Sequence, residues 1–97
     1  MDYIFEIADK TGRKIHLTKE RWGHIRKKHP EVEDLELLKE TIKNPDKIID
    51  YILDETIYNY YKYFKNRKSP TKYLLVSVKY LNDEGYIVTA YFEKYIK

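Results

Sequence analysis

The spacing of apolar and polar positions divides the chain into an extended start, a helical middle and a long extended second half. Tyr3, Phe5 and Ile7 alternate with Ile4 and Glu6, the run Asp9-Lys10-Thr11-Gly12 supplies turn chemistry, and Arg13 to Leu17 resumes an extended pattern. A hairpin over Tyr3 to Leu17 is the economical prediction. Thr18 then stands as an N-cap with Glu20 in the first turn, where a carboxylate favours the helix dipole, so a helix is expected from about Lys19 to Lys28. Pro30 restricts His29 to extended geometry and ends that helix. Glu33 and Asp34 begin a second, about Asp34 to Lys43, closed by Asn44-Pro45. Its apolar stripe is Leu35, Leu38 and Ile42 with Leu37 beside them, while Glu36, Lys39, Glu40 and Lys43 form a solvated face.

From Asp46 the period becomes two. Candidate strands are Lys47 to Leu53, Thr56 to Phe64, Lys72 to Leu81 and Tyr86 to Tyr95, with turn residues gathered in Lys65 to Thr71 and Asn82 to Gly85. The order predicts an α+β fold in which N-terminal strands and two helices pack on a four-stranded antiparallel sheet, as a single domain over residues 1–97. For the last pair, setting Leu81 opposite Gly85 puts Leu74, Val76, Val78 and Tyr80 on one face with Phe92, Ala90, Val88 and Tyr86. The other face then carries Leu75, Ser77 and Lys79 beside Tyr91, Thr89 and Ile87, a half-polar surface open to solvent or a ligand.

Composition narrows the chemistry. The 97 residues contain no cysteine, which removes disulfides, thiolate zinc sites and a cysteine nucleophile. No apolar run approaches the roughly 18 residues that cross a bilayer, and the charged, interrupted N-terminus does not read as a signal peptide, so no membrane association and a cytoplasmic location are expected. Nineteen Lys and Arg against sixteen Asp and Glu leave a formal +3, which permits an anionic partner without requiring one. Eleven tyrosines, gathered mainly between Tyr51 and Tyr95, suit half-buried strands as well as base stacking.

The segment Thr18 to Glu31 is the densest in functional groups. At about 100° per residue, Trp22, Ile25 and His29 share one side of the helix and Arg21, His24 and Lys28 another. An imidazole between two cations can act as general acid or base on a bound phosphate, although a solvated basic face has the same pattern. Likewise His29 can bond a terminal carbonyl. His24 and His29 are five apart, a poor spacing for two metal ligands on one helix face, so neither metal nor cofactor is expected. His16 reads as a surface residue. Ser69 and Ser77 lack a nucleophile-elbow setting. In the strand Tyr58 to Phe64, followed by the basic loop Lys65 to Lys68, aromatics alternate with cations as on single-strand binding surfaces, or as in a central strand buried on both sides.

Taken together, Arg21-Trp22-x-His24-Ile25-x-x-x-His29-Pro30-Glu31, Ile42-x-x-Pro45, Tyr60-Tyr61, Tyr73-Leu74-x-Val76-x-Val78-Lys79 and Gly85-Tyr86-x-Val88-Thr89-Ala90-Tyr91 resemble the phage-associated barnase, EndoU, colicin and RelE-like nuclease families. The resemblance runs from about Thr18 to Lys94. It implies a compact α+β fold and RNA cleavage without a metal, often by toxins or phage effectors, with an antitoxin or immunity protein as a possible partner. Carried over by position, it favours His24, His29, Thr89 and Tyr91 as catalytic, with Tyr61 as an additional substrate contact. The residues themselves add Arg21, Lys28 and Lys79 as phosphate-binding cations. The pattern fixes no acidic residue as general base; Glu31 and Glu93 are the nominees. The expected reaction is attack of a ribose 2′-oxygen on the adjacent phosphorus, and the rival expectation is a non-catalytic module that holds RNA or a protein. Oligomeric state is left open.

Overall fold

The computed structural model describes residues 3–97. Strands β1 (Tyr3–Ala8) and β2 (Lys14–Thr18) precede helices α1 (Lys19–Lys28) and α2 (Leu35–Lys43), and strands β3 (Lys47–Asp50), β4 (Ile57–Tyr63), β5 (Tyr73–Leu81) and β6 (Glu84–Glu93) follow. All six strands form one sheet in the order β1-β2-β6-β5-β4-β3. The expected four-stranded antiparallel sheet is therefore corrected to a six-stranded mixed one. β2 pairs with β6 in parallel, through Lys14 with Glu84, Ile15 with Gly85 and His16 with Tyr86. That pairing is between strands far apart in sequence, which the local period of neither strand encodes.

The helices cover one face. Ile25 of α1 and Leu38 and Ile42 of α2 are buried with Ile15, Leu17, Leu74, Val76, Val78, Ala90 and Phe92 in one core. Asp34 turns out to be the N-cap of α2, its carboxylate accepting from Glu36 N, and Thr18 caps α1 by accepting from Arg21 N at 3.1 Å.

The β5–β6 register differs from expectation at one end only. Leu81 opposes Glu84, so the connection is the two residues Asn82-Asp83, with Asn82 at φ 59° in the left-handed region that asparagine tolerates. Beyond the turn Val78 faces Ile87 and Ser77 faces Thr89, which leaves Val88 as an extra residue in a β-bulge. From there Val76 opposes Ala90 and Leu74 opposes Phe92, as the apolar pattern requires. Near the turn, Ile87 and Gly85 occupy the core face in place of Val88 and Tyr86, because a two-residue connection shifts every side chain by one position until the bulge restores the count.

β3 ends at Asp50, short of the expected Leu53, because Asp54 folds the connection back. Its carboxylate accepts from the Thr56 backbone N–H at 2.9 Å and from the Thr56 hydroxyl at 2.6 Å. Ile52 and Leu53 are left 93% and 80% exposed at the tip.

Candidate active site

The site arises where β2 leaves the sheet. β2 accompanies β6 only as far as Tyr86, and the chain then turns at Thr18 into α1. The helix lies along the part of β6 that β2 vacates, beginning at the Val88 bulge. Ile25 enters the core from this position, while Arg21, His24 and Lys28 meet Val88 and Thr89 around a cavity of about 150 Å³. Helical spacing placed those three side chains on one face, and the bulge brings a hydroxyl to meet them. Thr89 also lines a second cavity, of about 240 Å³, with Val88, Tyr91, Tyr51, Asn59 and Ser77.

His29 stands at the far end of the helix. Its backbone N–H closes α1 on the Ile25 carbonyl at 2.7 Å, and its ring packs on Tyr91 with centroids 5.1 Å apart. The turn that carries it is clamped by Arg26, whose guanidinium donates to the carbonyls of Pro30 and Val32. His29 thus belongs to the Tyr91 side of Thr89 and His24 to the other. Burial, followed by the negative charge of Glu93, raises the Tyr91 hydroxyl above the usual tyrosine range, so at neutral pH it remains a proton donor.

Other predicted residues lie further off. Tyr61 is one rung away, linked through Leu75 to Tyr91 in the sheet, but it is buried and backs the site rather than lining either cavity. Lys79 is drawn to Asp54, 3.4 Å away, and lines neither cavity. Glu31 is 3.8 Å from His29 Nδ1, and the pocket around His24 contains no carboxylate. The expectation for His16 is overturned: it is buried, stacked between Tyr3 and Tyr86 at 4.4 and 5.1 Å, and its Nε2 lies 2.7 Å from Glu84 Oε1. Its Nδ1 is 2.9 Å from Glu6 Oε2 without the alignment of a hydrogen bond. Alternation along β2 sends Ile15 and Leu17 to the core and His16 to the opposite face of the sheet, where the rings of Tyr3 and Tyr86 cover it.

The sequence model of the family described as phage-Barnase-EndoU-ColicinE5/D-RelE like nuclease2 matches residues 5–97. The chain belongs to this family. No curated protein and no solved structure matches it. Within a nuclease family of barnase, EndoU, colicin and RelE type, the cavity between α1 and the bulge of β6 is the part of the chain with groups suited to a phosphodiester: an imidazole, a guanidinium, an ammonium and a hydroxyl. A larger cavity, about 430 Å³, shares no residue with it and opens between the α1–α2 connection and the β4–β5 loop, where Arg67 lies 3.7 Å above the Phe92 ring.

Sequence reasoning missed three features of the site. The bulge at Val88 has no compositional mark, since Ile87-Val88-Thr89 reads as uninterrupted strand. Tyr51 enters only because Asp54 bends its loop. The Ser77 hydroxyl donates to Asn59 Oδ1 across the β4–β5 pair. The one available signal was Asn59 itself, a residue depleted in strands, interrupting an aromatic run. Among the described residues, no group of three or more His, Cys, Asp and Glu is placed to hold a metal ion. No helix among the described residues is long and apolar enough to cross a membrane.

Proposed function

We propose that this nuclease-family chain is an endoribonuclease that needs no metal ion and makes a 2′,3′-cyclic phosphate end. The observation that carries the reading is the composition of the smaller cavity, where Arg21, His24 and Lys28 face Thr89 with no carboxylate among the lining residues. Such a donor set attracts an anion rather than a cation. Its volume of about 150 Å³ suits a phosphate group with part of its ribose.

In this reading His24 removes the proton of the ribose 2′-OH, and the freed oxygen bonds to the adjacent phosphorus. The bond from phosphorus to the 5′-oxygen breaks, and that oxygen takes a proton from His29, on the other side of Thr89. Arg21 and Lys28 offset the charge that builds on the non-bridging oxygens, and the hydroxyls of Thr89 and Tyr91 orient them. For the biological role we propose a toxin or phage effector restrained by an antidote protein.

The test is labelled single-stranded RNA incubated with the protein in chelator, with a matched strand carrying one 2′-deoxy substitution at the cut position. Cleavage to a cyclic phosphate end is expected in the first and none in the second. Each general acid or base contributes roughly 10²–10⁴-fold, so His24→Ala should lower the rate by about that factor. Because His24 is exposed, its melting temperature should not move. An unaltered rate would remove His24 from the mechanism. Salt-sensitive binding with no product from the wild-type chain would make it a non-catalytic RNA-binding module.

A further inference from the structure

The second cavity shares Val88 and Thr89 with the first and lends the Thr89 and Tyr91 hydroxyls to the phosphate chemistry just described, but Tyr51, Asn59 and Ser77 have no part in that chemistry. Its walls differ in kind. Tyr51 comes from the β3–β4 connection and Tyr91 from β6, so two separate elements bring aromatic surface to it. Asn59 and Ser77 come from adjacent strands and are directly opposed in the sheet. Since the Ser77 hydroxyl donates to Asn59 Oδ1, the Asn59 amide keeps its N–H donors and the Ser77 oxygen keeps lone pairs. A donor and an acceptor therefore stand side by side in a cavity that two tyrosines also line. Neither residue is explained by strand stability, because asparagine is depleted in strands and a lone polar pair in a β-sheet lined by tyrosines adds little packing.

That arrangement has the shape and polarity of a nucleobase edge. Every base presents an acceptor next to an N–H, and an unstacked base needs aromatic surface to replace its lost neighbours. The cavity volume of about 240 Å³ holds one base and no more than part of a second.

We propose that the cavity formed by Tyr51, Asn59, Ser77 and Tyr91 seats the base of the nucleotide whose phosphate enters the His24 pocket. The enzyme would then select one position of single-stranded RNA by the identity of that base. This rests on the phosphate reading of the neighbouring pocket. Tyr51 and Tyr91 supply the stacking surface, and Asn59 with Ser77 supplies the discrimination. Duplex RNA would be refused because its bases are paired and stacked.

The experiment uses two sets of oligonucleotides with the full chain. The first is DNA carrying a single ribonucleotide, rA, rC, rG or rU, so that a cut can occur at one place only. The second is four 2′-fluoro RNA homopolymers, which bind but have no 2′-OH to attack, read by fluorescence anisotropy. The wild-type chain should favour one base over the poorest by about tenfold in both sets, the discrimination typical of a well-placed pair of hydrogen bonds. Asn59→Ala should compress that spread to less than threefold. Tyr51→Ala, at a position 39% exposed and so tolerant of truncation, should weaken binding of all four about tenfold while keeping their order. Equal binding of the four homopolymers by the wild-type chain would overturn the base pocket, as would an Asn59→Ala spread equal to wild type. Base-dependent binding that Asn59→Ala abolishes, with no strand cut, would keep the pocket and refute the nuclease reading instead.

Discussion

Asp9 shows how one residue can hold a turn and a core together. Its Oδ1 accepts from the Thr11 and Arg13 backbone N–H groups at 2.8 and 3.1 Å and from the Thr11 hydroxyl at 2.6 Å, which ties the β1–β2 hairpin. Its Oδ2 accepts from the Tyr80 hydroxyl at 2.8 Å, and Tyr80 in turn accepts from Tyr60. Burial alone would raise this carboxyl, but the hydrogen bonds from Thr11, Tyr80 and Arg13 outweigh it and leave the group below the usual carboxylate range. Burial, and then the same hydrogen bonds, hold Tyr80 far above the ordinary tyrosine range, so it stays a donor throughout. A carboxyl depressed in the fold stabilises the protein above its unfolded value of about 3.9, and that contribution is lost as pH falls through the lower folded value. Asp9→Asn should therefore lower the melting temperature at pH 7, since replacing an acceptor-only group leaves buried donors unmatched at a cost of about 1–3 kcal/mol. For a domain of this size each kcal/mol corresponds to roughly 4–8 °C. The gap between the variant and the wild-type chain should narrow as pH falls below about 4, where the unfolded carboxyl takes up a proton while the folded one still resists it. A melting series by circular dichroism reads both effects; a gap that persists unchanged into strong acid would show that charge on Asp9 is not what the hairpin uses.

At the level of elements, the join between β2 and β6 decides both the sheet and the site. Gly85 sits at that join, paired with Ile15 on one side and Tyr80 on the other. A Cβ there would meet Ile15 Cδ1 at 2.6 Å, Val78 Cγ1 at 2.8 Å and Tyr80 Cε1 at 3.0 Å. The isoleucine tip can rotate, whereas a valine methyl in a fully buried strand cannot. Gly85→Ala should thus cost about 1–3 kcal/mol by overpacking and loosen β2 from β6. Hydrogen exchange at Ile15 and Leu17 should accelerate more than at Val76, in the centre of the sheet; uniform acceleration would mean that the join has no special weight. The same join explains what could be read in advance. Local rules found α1 from Lys19 to Lys28, since cap, dipole and proline all act within a few residues. They also found the distal β5–β6 register, because Leu74, Val76, Ala90 and Phe92 admit no other face. They did not find the parallel pairing of Ile15 with Gly85, which depends on two segments some 70 residues apart. Nor did they find the bulge at Val88, since three consecutive β-formers look alike however they are paired. The site divides the same way: Arg21, His24 and Lys28 are a property of helical period, and Asn59 with Ser77 is a property of cross-strand register.

Across the whole molecule, the formal charge of +3 is too small to draw RNA in by itself, so the distribution has to do it. α1 carries Lys19, Arg21, Arg26, Lys27 and Lys28 against Glu20, while the connection to α2 carries Glu31, Glu33 and Asp34. The cations run along α1 beside the cavity, three of them in its last turn, and the acidic connection follows directly after that turn. The screening length at physiological salt is about 8 Å, so only cations around the cavity should act on a bound strand. Lys39 and Lys62, by contrast, lie within 3.1 and 3.9 Å of Glu36 and Glu40, where their fields are largely cancelled. Binding of single-stranded RNA releases counterions at a slope of about 0.7 in log K against log salt for each phosphate neutralised. Arg21 and Lys28 face one phosphate, so a chain with Arg21→Gln and Lys28→Gln should lose about 0.7 from the slope measured on an uncleavable 2′-fluoro strand. One with Lys39→Gln and Lys62→Gln should keep it. If the second pair reduced the slope as much as the first, RNA would be gripped by the general positive charge of the protein, and the phosphate would have no assigned place beside His24.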